Sequence, residues 1–252
     1  MNIIDLVIII FLLYSIFMGY TRGVIQEAFK LVGNFLVIIF SFFFTKSLSD
    51  ILCNSLPLYN FEFFDIHLSC FWIFIYHIIA FVMIALALKM LVNFILMFTG
   101  IVDTVVDLIP IFNRLSRILG MVLGFFGGLI VSFIVLLVIS VPLASSTLLH
   151  ESKYANYILD NTFIVSGMAK NIRGATNDVY NLSMEIKKDE ERLDNTDGYN
   201  AEMLNIMLKY DLVSLDTIDK LVEQEKIDNT KAIERTIKRY KDKKEKEENK
   251  GE

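Results

Sequence analysis

Apolar runs too long for a soluble core constrain this chain more than any other feature. Residues 3–20 carry one formal charge, Asp5, and the run LVGNFLVIIFSFFF at 31–44 carries none. A stretch of about 18 apolar residues, rising about 1.5 Å per residue, is what a helix needs to cross a hydrocarbon layer of roughly 30 Å. Four such spans are expected, at about 3–20, 24–45, 68–98 and 119–141. The third is interrupted by His77, Lys89 and Asn93 and exceeds what a crossing needs, so it is expected to tilt or run on into the interface. Between spans three and four, GIVDTVVDLIPIFNRLSRI reads as an amphipathic interfacial segment broken at Pro110, and Pro142 ends the fourth span.

Charge divides the chain into two parts. Residues 1–150 hold 6 Lys/Arg and 7 Asp/Glu, whereas residues 151–252 hold 18 and 22. The expected fold class is therefore all-α: a polytopic membrane protein with four transmembrane helices and a charged helical C-terminal tail. Residues 1–150 form the membrane domain, 151–186 a helical extension, 187–200 a linker, 201–240 a small helical hairpin and 241–252 a disordered charged tail. Asn200, Ser214 and Asn229 each precede a helical pattern as a candidate N-cap. A cleavable signal peptide is not expected, because residues 1–5 lack Lys and Arg and no small-x-small site follows the first run.

Span one returns to the membrane through MGYTRGVIQEAFK, a hairpin turn at Thr21-Arg22-Gly23. Arg22 marks this connection, and Arg114 and Arg117 mark the one between spans three and four. The loop at 46–67 carries Lys46 against Asp50, Glu62 and Asp65. Positive charge in short loops favours the cytoplasm. The expected topology has the turn at Gly19–Gly23 and the arginine anchors inside, with both termini and the tail extracytoplasmic, at the cell (inner) membrane. Cys53 and Cys70 then lie on the outer side, with unpaired thiols the favoured reading over a disulfide.

On a helix at about 100° per residue, Glu27, Lys30, Asn34, Ser41 and Thr45 share one narrow stripe. Such a stripe can line a polar cavity or solute path. The plainer reading has Glu27 and Lys30 pairing locally at i,i+3 while Asn34 and Ser41 bond to neighbouring helices. In span four Gly120, Gly124 and Gly128 are spaced four apart with Gly127 beside them, a face that admits another helix backbone, either within the bundle or from a second copy. Asp5 is placed to cap span one or to pair within the bundle. A lone His77 reads as a packed polar residue rather than a proton relay.

The histidines are His67, His77 and His150, none in the polar tail, which leaves no Ser/His/Asp or Cys/His system there. No Walker loop or dinucleotide fingerprint occurs. The two cysteines lack metal-ligand spacing, and no cofactor is expected. Basic runs in the tail are interleaved with Glu and lack an aromatic platform, so nucleic acid is not an expected partner. The expected partners are the bilayer, a second copy through the glycine face, and a protein recognised by the tail.

Two segments carry a family resemblance. IIDLVIIIFLLYSIFMGYTRGVIQEAFKLVG resembles the opening of the colicin V production (CvpA) family, and NRLSRILGMVLGFFGGLIV resembles its arginine-containing entry into spaced glycines. The pattern touches Asp5, Gly19, Arg22, Gly23, Gly33, Arg117, Gly120, Gly124 and Gly128, and the likeness covers about residues 1–165. It departs at Ser116, where many members are acidic. The resemblance implies a four-helix inner-membrane protein linked to colicin V production and envelope physiology, without an established catalytic activity. Some relatives carry an extracytoplasmic trypsin-like protease, which the tail's lack of histidine argues against here. Two readings follow: a non-enzymatic scaffold or accessory protein, and a small channel or exporter component.

Overall fold

The computed structural model describes residues 2–58, 62–63, 66–97, 110–140, 151–161, 169–188 and 196–248. Its helices are α1 (Ile3–Arg22), α2 (Val24–Ser55), α3 (Phe71–Met97), α4 (Pro110–Ser140), α5 (Lys153–Asn161), α6 (Lys170–Lys188), α7 (Thr196–Lys209), α8 (Leu215–Glu223) and α9 (Lys231–Glu248). A minimal antiparallel pair, β1 (Glu62–Phe63) with β2 (Ile66–His67), is the one sheet among the described residues. Four helices are long and apolar enough to cross a membrane: Ile3–Arg22, Val24–Ser55, Phe71–Ile95 and Arg114–Ser140. Their outward faces stay apolar, with Phe17 63%, Phe43 75% and Met90 71% exposed. Water would penalise such a surface and lipid does not.

The chain divides into two compact units, Met1–Phe43 with Val82–Lys170, and Phe44–Phe81 with Asn171–Glu252. In the first, α1 packs along α4, and α5 contacts both. Asn2 and Asp5 form a capping box at the start of α1. The carboxylate of Asp5, itself buried, also accepts from Ser152 Oγ (2.5 Å) and the Tyr154 amide (3.1 Å), while Ser152 Oγ accepts from the Ala155 amide. Asp5 therefore caps α1, and its other partners lie at the start of α5, outside the four spans. It closes one helix start and ties a second helix start to it.

In the second unit the tail helices pack on the ends of α2 and α3. Between Lys30 and Lys46 the α2 sequence carries no charge for 15 residues, a rise of about 22 Å. With lysine stems reaching toward headgroups at both ends, that length suffices for one crossing. The ten residues Lys46–Ser55 continue the helix beyond it. Phe71, Ile73, Phe74 and Phe81 of α3 share this unit with buried Met203, Met207, Ile218 and Leu221. On the α6 side, a Cβ added at Gly174 would lie 2.7 Å from Tyr210 Cζ, and Asp178 accepts from Tyr210 and Lys209. Burial pushes the Glu202 carboxyl up, and Glu185 adds to that shift.

Two helix ends position the contacts. Asp211 and Glu225 both adopt φ of 54°. The Leu212 amide returns to Met207 and the Lys226 amide to Leu221, closing α7 and α8 with left-handed terminations. These turns then deliver four groups to α2 and α3. Asp211 pairs with Lys46 and the Ser214 amide donates to Asp50. Lys226 Nζ donates to the carbonyls of Cys53 and Asn54, which lack helical partners at the α2 terminus, and the Leu212 carbonyl meets His77 Nδ1 at 3.0 Å. A carbonyl only accepts, so Nδ1 of His77 carries the proton.

Several expected boundaries differ. Pro110 opens α4, where its missing amide costs nothing at a first helical position; residues 98–109, on which much of the expected interfacial segment falls, and Pro142 lie outside the described residues. The expected linker 187–200 gives way to α6 through Lys188 and α7 from Thr196, while 189–195 lie outside. Asn200 is thus inside a helix, where its side chain accepts from the Cys70 amide (3.3 Å). The expected hairpin at 201–240 is three helices. Ser214 caps α8, whereas Thr230, not Asn229, accepts from the Ile233 amide at the start of α9. The expected disorder from 241 is replaced by helix to Glu248; 249–252 lie outside. Lys241 anchors that stretch to Asp219 at 2.7 Å, and Lys and Glu recur at helical spacing beyond it.

Candidate functional site

The glycine face and the polar stripe meet. Gly124, Gly127 and Gly128 of α4 and Glu27, Lys30 and Asn34 of α2 line one cavity of about 190 Å³, together with Arg22 and Ser15. Absent side chains on α4 leave the room that polar side chains of α2 enter. Glu27 is 3% exposed, 3.6 Å from Arg22 Nη1 and 3.5 Å from Lys30 Nζ. Neither Glu27 Oε2 nor the buried Arg22 Nη1 makes a hydrogen bond, so the carboxylate faces opposite charge but is incompletely hydrogen-bonded. Asn34 accepts from Lys89 of α3. Two cations against one carboxylate give the lining a net positive charge, suited to water or a small anion.

Ser41, expected on the same lining, is elsewhere. It is fully buried and its hydroxyl donates to Val37 at 2.7 Å. Val37 and Ile38, 5% and 1% exposed, lie along α2 between Asn34 and Ser41. On α2 the lining of this cavity ends at Asn34.

Close packing governs the wall of the cavity. A Cβ on Gly124 would lie 2.6 Å from the Ser15 carbonyl, and one on Gly19 would overlap the Gly120 carbonyl and lie 3.0 Å from Gly124 Cα. Gly128 faces the Ser15 side chain, whereas Gly127 faces Glu27 Oε1 at 3.5 Å. Backbone thus meets backbone along α1 and α4 within one chain. Gly23, at φ 79°, makes the turn, and Ser116 Oγ accepts from the Val24 amide at 3.0 Å. That hydroxyl satisfies a free donor at the α2 start. Arg117 stacks over the Tyr20 ring at 5.8 Å, and Arg114 is exposed. A methyl on Gly33 would meet Val92 Cγ1 at 2.6 Å, marking a close α2–α3 approach.

Three participants have no clear sequence signal. Lys89, Ser15 and Ser116 each act through a helix distant in sequence. Ser152 was readable as a serine one residue before a helical pattern. Cys53 and Cys70 are both buried and unpaired, and burial pushes the Cys70 thiol up to about 12.

Four apolar helices, three of which line a charged pocket, define a polytopic membrane protein. The chain belongs to the colicin V production protein family, whose pattern matches residues 4–162. It is also similar to the uncharacterized transmembrane protein YshB of Bacillus subtilis (strain 168), 30% identical over 177 residues, or 67% of this chain and 96% of the relative. No solved structure matches it significantly. The family match ends before α6, so the helices α6–α9 lie beyond it.

Proposed function

We propose that this chain is a non-enzymatic scaffold or accessory protein of the bacterial inner membrane, acting in colicin V production and envelope physiology. In this reading both termini face the cell exterior, and the tail helices present an exposed surface to a protein partner. The docking of the tail carries the proposal: Lys226, Asp211, Ser214 and the Leu212 carbonyl all grip α2 or α3. A tail held at four points on the span ends is a fixed platform rather than a tethered arm.

The cavity favours a second reading, a small channel or exporter. Against it, the α2 lining of this cavity ends at Asn34, and Val37 and Ile38 follow, nearly fully buried. Solute flux from liposomes containing the full chain distinguishes the two. The scaffold reading expects none. Flux that Lys30→Leu or Asn34→Leu abolishes would replace it with the channel. The glycine face is occupied by α1, so self-association through it would require α1 to leave.

A further inference from the structure

Lys46 does more than pair with Asp211. Lys46, Lys209, Lys243 and Lys244 line one cleft of about 310 Å³, beside Tyr240 and Ser214. Asp211 is the one carboxylate among the described lining residues, and Lys209 is also paired with Asp178 at 2.7 Å. With Asp178 counted beside Asp211, four lysines face two carboxylates, and the formal charge of the cleft is positive. Lys46 is the first charge on α2 after its 15-residue uncharged run, which sets the cleft at headgroup level. The other three lysines belong to α7 and α9, so the tail brings them to that level.

We propose that this lysine cleft binds the phosphate headgroup of an anionic phospholipid in the leaflet where span two ends. Lysines at a membrane surface act as point charges on phosphate, and each adds to the attraction of an anionic leaflet. The lipid completes the platform. Its headgroup draws α7 and α9 to the same interface that Lys46 marks on α2, which adds a contact with the bilayer beyond the four spans.

The test uses the full chain in neutral detergent, titrated with dioleoyl phosphatidylglycerol or dioleoyl phosphatidylcholine and read by native mass spectrometry. Wild type should prefer phosphatidylglycerol. The double variant Lys243→Gln/Lys244→Gln should lose that affinity about tenfold. Lys231→Gln/Lys238→Gln, which removes the same charge from exposed positions of the same helix, should change it less than about twofold. Unchanged circular dichroism melting would show that both variants remain folded. Equal losses in the two variants would overturn the proposal, as would no preference between the lipids. Displacement of the lipid by excess inorganic phosphate would assign the cleft to a free anion and overturn it too.

Discussion

Replacing Gly124 by alanine would place a methyl carbon 2.6 Å from the Ser15 carbonyl oxygen and 3.0 Å from Gly19 Cα. Relaxed carbon contacts need about 3.5 Å or more, so the overlap approaches 1 Å. Both neighbours are helix backbone, which cannot rotate away. Relief requires α1 and α4 to separate, and a gap of about 0.5–1 Å forfeits a quarter to a half of each lost dispersion contact. The cost should be about 1–3 kcal/mol for Gly124→Ala, Gly120→Ala or Gly19→Ala. Gly128→Ala meets Ser15 Cβ at 2.7 Å, which is fixed to its helix, and Leu12 Cδ2 at 3.3 Å, which can give way, and should cost about 1–2 kcal/mol. Gly127→Ala meets Glu27 Oε1 at 3.5 Å, ordinary contact. It should be neutral or stabilising by up to about 1 kcal/mol through helix propensity. Equilibrium unfolding in mixed micelles with increasing dodecyl sulfate reads the series. Equal destabilisation of all four α4 variants, or Gly127→Ala as the worst, would refute backbone contact as the cause.

Other perturbations separate further contacts. Asp5→Ala strands a buried Ser152 hydroxyl and the Tyr154 amide and should cost about 2–4 kcal/mol; Asp5→Asn, keeping one acceptor oxygen, should cost less, read as protease sensitivity at 151–161. Lys226→Met should cost about 1–2 kcal/mol by freeing two α2 carbonyls, and should speed maleimide labelling of buried Cys53 in a Cys70→Ala background; unchanged labelling would show that Lys226 does not hold that end. Glu225→Gly should stabilise by about 0.5–1 kcal/mol because φ of 54° suits glycine, measured by thermal melting. The raised Cys70 thiol sets a pH dependence: its contribution is complete below the ordinary thiol value of 9.0 and lost as pH rises toward about 12. Cys70→Ala should flatten the decline in stability over that interval, and a parallel decline would refute it.

The spans were legible because hydrocarbon thickness leaves a length signature that needs no tertiary context. The close packing of α4 was suggested by glycine spacing, but not its partner, since nothing in a four-residue repeat names the facing helix. Gly19 looked like part of a turn and instead meets Gly120 and Gly124 backbone. The stripe on α2 was readable as a period, yet Ser41, about two turns beyond Asn34, lies past the end of the cavity, where its hydroxyl bonds to the Val37 carbonyl. The tail was misjudged most. Its charged end is helical to Glu248, and Lys241 there meets Asp219, 22 residues away, a contact that local charge density does not disclose.

Threading is tested most directly by single cysteines at Asp216 on α8, Leu56 after α2 and Thr21 in the first turn, in a chain lacking Cys53 and Cys70. All three positions are exposed. A membrane-impermeant thiol reagent on intact cells should label Asp216→Cys and Leu56→Cys, and label Thr21→Cys only after lysis. Labelling Thr21→Cys alone in intact cells would reverse the orientation. Opposite results at Asp216 and Leu56 would contradict the docked tail and the count of four crossings.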